Sequence, residues 1–268
     1  MALRWLRRDR LTLGAGGFLV LLALVSIAAP LIVDLFGVSG PNVHNPGAVS
    51  LLGVPSGPSG AHPLGVDDLG RDVLARTVYG ARVALEVGLL GALIATVLGA
   101  VVGMAASFVP LPVRMLVMAA LDACMAVPAI LLGVGIGLAC GASGCAGGVV
   151  SPGRATVIFA VAVAGFGVIA PEVMRVAGDR RQRPVTRLCV AGVQVVPAAI
   201  LLEAALGFLG VGVRAPNAEW GEMIASAGRD ITSGNSGWWG LVFPGLALTA
   251  TVLAFGLLAR GVERAVRA

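Results

Sequence analysis

Lysine is missing altogether: the 19 basic residues among 268 are all arginine. A Gly-rich phosphate loop of the Walker type needs its lysine, so the chain has no such nucleotide site of its own. Charge of either sign is scarce. Asp, Glu, Lys and Arg make up 12% of the residues and mean hydropathy is +0.95, against ~25% charged residues in a soluble domain. So few charges cannot coat a water-facing surface, which excludes an ordinary soluble fold. Histidine occurs only at His44 and His62, and there are four cysteines. No zinc-type spacing links them, and convergent imidazole or thiolate ligands for a metal are lacking. No Ser/His/Asp or Cys/His arrangement supplies a nucleophile. The net charge of +5 would suit nucleic acid, but the arginines flank apolar runs, as at membrane boundaries. No nucleic-acid partner is expected.

Six apolar runs are long enough to cross a bilayer: 11–33, 84–106, 113–138, 155–176, 188–213 and 241–259. The first follows "MALRWLRRDR" and is longer than the apolar core of a signal peptide, so it reads as a span. With the N-terminus inside, thirteen arginines fall on inner segments and six (Arg71, Arg76, Arg82, Arg154, Arg214 and Arg229) on outer ones. This bias follows the positive-inside rule and places both termini in the cytoplasm. The expected fold is all-α and polytopic, with six transmembrane helices. It divides into 1–33 (cytoplasmic N-terminus and first span), 34–83 (extracellular loop and interfacial helix) and 84–268 (a core of five spans).

Three connections stand out. Residues 34–83 begin with "FGVSGPNVHNPGAVSLLGVPSGPSG", whose turn-formers oppose a long regular element. They continue into the polar stretch "HPLGVDDLGRDVLARTVYGARV". Val73, Leu74, Val78 and Tyr79 recur at helical spacing there among Arg71, Asp72, Arg76 and Arg82, which predicts a short helix lying at the outer interface. Residues 213–240 form a second outer segment, with Trp220, Trp238 and Trp239 suited to the headgroup belt. The third connection, "GDRRQRPVTR", is inside.

These blocks resemble a known family. His62-Pro63-Leu64-Gly65, Asp67, Leu69-Gly70-Arg71-Asp72-Val73-Leu74 and Tyr79-Gly80-Ala81-Arg82 are similar to the signature ahead of the second span in the shorter permease of ATP-driven dipeptide, oligopeptide and nickel importers. Arg114, Asp122 and Pro128 sit as that family's Arg, Asp and Pro around the third span. "EAALGFLGVGV", "AEWGEMI", "FPGLALT" and "LAFGLL" follow in the family's order. The resemblance implies a type I ABC importer permease in the bacterial cytoplasmic (inner) membrane. It would be non-catalytic, forming half of a path for dipeptides or short oligopeptides beside a homologous second permease. Two ATP-binding domains would hold ATP and Mg, and a solute-binding lipoprotein would deliver cargo outside. Nickel or haem-like solutes are the alternative cargo. An ion-coupled secondary carrier is the alternative from the residues alone.

Two features depart from the family pattern. The interval between the fourth and fifth spans is short, and Glu172 and Gly178 keep only the Glu-to-Gly spacing of the element that contacts the ATP-binding subunit. The expected coupling residues are Glu172, Gly178, Arg180, Arg181 and Arg183. The C-terminal "RGVERAVRA" lacks the family's Gly-Asp pair. His62, Gly65, Asp67, Gly70, Arg71 and Asp72 are expected to form the outer scaffold, with Asp67, Asp68, Arg71 and Asp72 in salt bridges and His62 in loop structure rather than a metal pair with Asp67. The scaffold's role towards the binding protein comes from the resemblance. Asp122 and Glu203 are candidate intramembrane polar contacts, Asp122 near enough to Arg114 to pair with a basic group. Cys140 and Cys145 in "CGASGC" could close a disulfide on an oxidising face. Pro128, Pro197 and Pro244 predict kinks.

Overall fold

The computed structural model describes residues 9–140, 153–177, 184–213 and 217–267. Among them nine α-helices occur, in the order α1 (Arg10–Ile27), α2 (Ala29–Leu35), α3 (Val73–Ser107), α4 (Leu111–Ala126), α5 (Ala129–Cys140), α6 (Arg154–Ala177), α7 (Pro184–Phe208), α8 (Trp220–Thr232) and α9 (Trp238–Arg267). Five of them, α1, α3, α6, α7 and α9, are long and apolar enough to cross a membrane. The chain is therefore a helical, multi-pass membrane protein, close to the six spans that the apolar runs predict.

The departures have covalent causes. Residues 113–138 fall on two helices rather than one, of 16 and 12 residues. Pro128 has no N–H to donate and forces Val127 away from helical angles, so α4 stops at Ala126. The Pro128 carbonyl then accepts from Leu131 and Leu132 to start α5. The first run is also interrupted, at Ala28. Pro30 cannot donate to the Ser26 carbonyl four residues back; Arg82 does so instead, its Nε 3.2 Å from that oxygen and its Nη2 3.3 Å from the Ile27 carbonyl. Pro197 and Pro244 lie inside continuous helices.

The expected separate interfacial helix is corrected too. Residues 73–83 are the first turns of α3, which runs 35 residues without a break. At 1.5 Å per residue it spans ~52 Å, well beyond a hydrocarbon layer of ~30 Å, so its polar first turns need no helix of their own. Asp72 caps it, Oδ1 accepting from the Ala75 N–H at 2.9 Å.

The helix α3 is the central post, packed most extensively on α6 and then on α7. Glycine makes the close approach possible. A Cβ at Gly99 would stand 2.7 Å from Ile169 Cβ, and one at Gly103 2.7 Å from Val173 Cβ; on the other side, a Cβ at Gly165 would meet Ala95 Cβ at 2.8 Å. In lipid, such small-residue seams replace the hydrophobic driving force between helices. The main core joins α1, α3, α6, α7, α8 and α9 around Leu85, Ile169, Ile200, Trp220, Trp239 and Phe255. Asp9 caps α1 and pairs with Arg264 of α9 at 3.4 Å, which fastens those two helices at one end.

Candidate functional site

The polar stretch that interrupts the hydrophobic sequence gathers at one end of the bundle and fastens three elements together. Residues 36–72 fold as a loop held by isolated bridges from Val49 to Pro55 and from Val66 to Asp72. In its last turn Asp67 Oδ1 accepts from the Leu69 and Arg71 N–H groups, and Oδ2 lies 2.6 Å from Arg71 Nε. Gly70 closes this turn at φ +73°, and a side chain there would strike the Asn45 carbonyl. Gly65, at φ +79°, lies under the Trp239 indole, where a Cβ would come within 2.7 Å of the ring.

Charge then links the loop to the helices. His62 Nδ1 is 2.9 Å from Asp72 Oδ2, so the imidazole braces the residue that caps α3. Arg76, 1% exposed, places Nη2 2.7 Å from Glu222 Oε2 on α8 and Nε 3.6 Å from Asp67. Arg71 reaches the other Glu222 oxygen at 3.9 Å. Two indoles complete the assembly. Trp220 donates to the Thr77 carbonyl at 2.9 Å, and Trp239 to the Val66 carbonyl at 2.8 Å. The expected placement of both in the headgroup belt is thus overturned: they are 1% and 5% exposed, because each indole N–H has a backbone acceptor and each ring has a glycine beneath it, Gly80 or Gly65. Trp238 is 51% exposed.

The expected scaffold residues His62, Gly65, Asp67, Gly70, Arg71 and Asp72 therefore sit together. Sequence reasoning left out the partners that give them their purpose: Arg76, Glu222 and the two buried tryptophans. The spacing of Arg76 four residues after Asp72 was legible, but its partner on α8 lies 146 residues away.

The acids near the spans divide by environment. Glu86 pairs with Arg154 at the start of α6, and Arg154 Nη2 is 2.6 Å from Asn217 Oδ1. Asp122 is exposed on α4. Arg114, eight residues before it, donates instead to the Met174 carbonyl at 2.9 Å. Glu203 is buried on α7 against Glu219, which immediately precedes α8. Burial first, and the facing Glu203 second, push the Glu219 carboxyl up to about 9.

A groove of about 530 Å³ opens between α6 and α7. Val161, Ala164, Val168, Val195 and Ala199 give it an apolar wall, while Glu172, Arg175, Arg187, Gln194 and Glu263 give it a polar mouth. Glu172 lies 3.2 Å from Arg175, and Gln194 donates to Glu263 at 3.0 Å. Of the expected coupling residues, Glu172 is thus at the mouth of this groove; Gly178, Arg180, Arg181 and Arg183 lie outside the described residues. Cys140 is buried at the end of α5 and disulfide-bonded, and Cys145 lies outside the described residues.

A bundle of apolar helices with a polar end clamp and a side groove suits passage across a membrane, and known proteins share its sequence. The chain is 36% identical over 265 aligned positions to a Brucella suis protein named as a peptide transport system permease, covering 89% of this chain and 85% of the relative. It belongs to the peptide transport system permease family. The di/tripeptide transport system permease of Pseudomonas aeruginosa is 34% identical over 75% of this chain and 70% of its own length. The dipeptide transport system permease of Bacillus subtilis is 30% identical over 97% and 83%. No protein-family model matches the chain. The Brucella alignment is 265 positions long yet takes in only 89% of this 268-residue permease, so the relative fills positions that this permease lacks.

Proposed function

We propose that this permease forms half of the translocation path of an ATP-driven importer for dipeptides or short oligopeptides in the bacterial cytoplasmic membrane. The observation that carries this reading is the groove between α6 and α7, whose apolar wall and paired charges at the mouth suit a short zwitterionic solute. The relatives' names support the solute class: they refer to dipeptides and di/tripeptides, and in a Pectobacterium atrosepticum relative to glutathione. Nickel or haem-like cargo is the second reading.

The chain lacks lysine and hence a phosphate loop, so energy comes from two ATP-binding domains carrying ATP and Mg on separate subunits. A second, homologous permease completes the path, and a solute-binding lipoprotein docks at the clamped end, which is extracellular or periplasmic. Both termini are then cytoplasmic, as the arginine distribution supports, and the 34–83 segment is the outer scaffold ahead of the 84–268 core. Coupling runs through residues 172–187: Glu172, Gly178 and the arginines at 180, 181 and 183 meet the ATP-binding subunit. The residues supply path and coupling, and no bond chemistry.

The test is joint purification. The permease, expressed with the subunits encoded beside it, brings down the ATP-binding proteins and shows ATP hydrolysis stimulated by peptide-loaded binding protein. Gly178→Val, or Ser at positions 180, 181 and 183, leaves insertion intact and lowers that stimulation at least several-fold. Unaltered stimulation in both inserted variants contradicts the coupling assignment.

A further inference from the structure

Among the described residues, two buried carboxyl groups lie where α7 meets the connection to α8. Glu203 and Glu219 are each 1% exposed, and beyond each other their carboxyl oxygens meet no side-chain partner, the Val213 backbone N–H beside Glu219 being the one donor at hand. The approach is built in: a Cβ at Gly212 would stand 2.7 Å from Glu219 Oε1, and one at Gly221 2.9 Å from Ala204 Cα. A cavity of about 160 Å³ adjoins Glu219, lined also by Arg71, Arg76, Asn217 and Glu222.

No guanidinium nearby is committed to the pair. From α3 and the turn before it, Arg76 is held by Glu222 at 2.7 Å and Arg71 by Asp67 at 2.6 Å. From the start of α6, Arg154 is taken by Glu86 and Asn217. From α8, Glu222 adds a further negative charge. Two ionised carboxylates facing each other in this setting would be buried, unpaired and mutually repelling, which is among the costliest arrangements in a protein.

We propose that Glu203 and Glu219 hold one proton between them, and that this carboxyl–carboxylate clasp fastens the connection ahead of α8 to the groove-lining helix α7. One carboxyl donates its O–H to the other's carboxylate oxygen, a charge-assisted hydrogen bond that satisfies both groups and leaves a single negative charge. When the O–H bond breaks, the proton passes to water or a buffer base in the cavity beside Glu219. Both groups are then anionic and repel, which frees the connection from α7. Loss of one proton thus loosens the joint between the groove wall and the clamped end. The inference rests on the packing of α7 and α8 and is independent of the solute carried.

The experiment is infrared difference spectroscopy with H/D exchange on the full-length permease in lipid nanodiscs, beside Glu203→Gln, Glu219→Gln and the double variant. At neutral pH the wild type shows a protonated-carboxyl C=O band that shifts in each single variant as its hydrogen-bond partner changes and is absent from the double variant, and raising the pH removes it from the wild type. The thermal midpoint of the wild type falls as the pH rises towards that at which the band is lost and levels off beyond it, and the double variant lacks this fall. A band that stays unshifted in both folded single variants overturns the proposal, and so does a wild-type spectrum with no such band at neutral pH. The wild-type spectrum keeps the test decisive if a variant fails to insert.

Discussion

Replacing Arg76 tests the clamp at its most buried charge. Arg76→Met keeps the length and much of the volume of the side chain but deletes the contacts to Glu222 at 2.7 Å, to Asp67 at 3.6 Å and to the Pro41 carbonyl at 3.3 Å. The Arg76 side chain is 2% exposed and that of Glu222 is 37% exposed, so the pair is neither a screened surface bridge nor a fully desolvated one. Exposed pairs are worth about 0.2–1 kcal/mol, and removing one partner of a buried pair costs about 3–5 kcal/mol. With one partner a third exposed, the expected loss for Arg76→Met is about 2–3 kcal/mol. Glu222→Gln alone should cost less, about 1 kcal/mol, because the amide still accepts a hydrogen bond and water reaches it. A double-mutant cycle isolates the pair. Unfolding free energies in mixed micelles titrated with SDS should give a coupling of about 1–2 kcal/mol. A coupling under about 0.3 kcal/mol, within the scatter of independent sites, would refute the view that this contact ties α3 to α8.

Other expectations come from the same structure. Trp239→Phe keeps most of the ring packing but strips the Val66 carbonyl of its donor, and should cost about 1–3 kcal/mol in the same assay, with less loss at exposed Trp238→Phe. Gly99→Val forces a branched side chain against Ile169 and should destabilise by about 1–3 kcal/mol through overpacking, whereas Gly135→Val, with open space around it, should be nearly neutral. The pH dependence has a definite sign. Burial pushes the Glu219 carboxyl, facing Glu203, up to about 9 from the 4.5 of an unperturbed glutamate, so the folded pair binds more protons than the unfolded chain through that window and stability falls as pH rises from 4.5 to 9. Thermal midpoints that rise over this range would contradict the assignment.

The spans were legible because lipid leaves backbone polar groups no partner outside the helix, so long apolar runs must be helical. Residues 155–176 and 241–259 lie wholly within α6 and α9. Helix breaks needed more than hydropathy: Pro128 divides a run that apolar content alone reads as one span, whereas Pro197 and Pro244 leave their helices continuous. The polar stretch from His62 to Arg82 announced itself by charge, and its internal turn followed from Asp67 and Gly70. Its division into loop and long helix was hidden, since the amphipathic spacing of residues 73–83 is shared by an interfacial helix and by the first turns of a span that packs against a polar loop. The tryptophans were misplaced for a similar reason. An indole suits a headgroup layer or a buried carbonyl equally well, and only the fold brings Thr77 and Val66 within reach of Trp220 and Trp239. Glu203 was visible as an acid in an apolar run, but its pairing with Glu219 depends on how residues 217–219 sit against α7.

The central claim, that this chain is a peptide permease driven by ATP, is tested most directly by uptake of a radiolabelled dipeptide into proteoliposomes. The permease is reconstituted with its partner permease, ATP-binding subunits and binding protein. Uptake should require ATP on the side of the ATP-binding subunits and loaded binding protein on the opposite side, and an imposed proton or sodium gradient should not replace the nucleotide. Dipeptide uptake by the permease alone under an ion gradient, or nickel uptake by the complete assembly without peptide uptake, would contradict it.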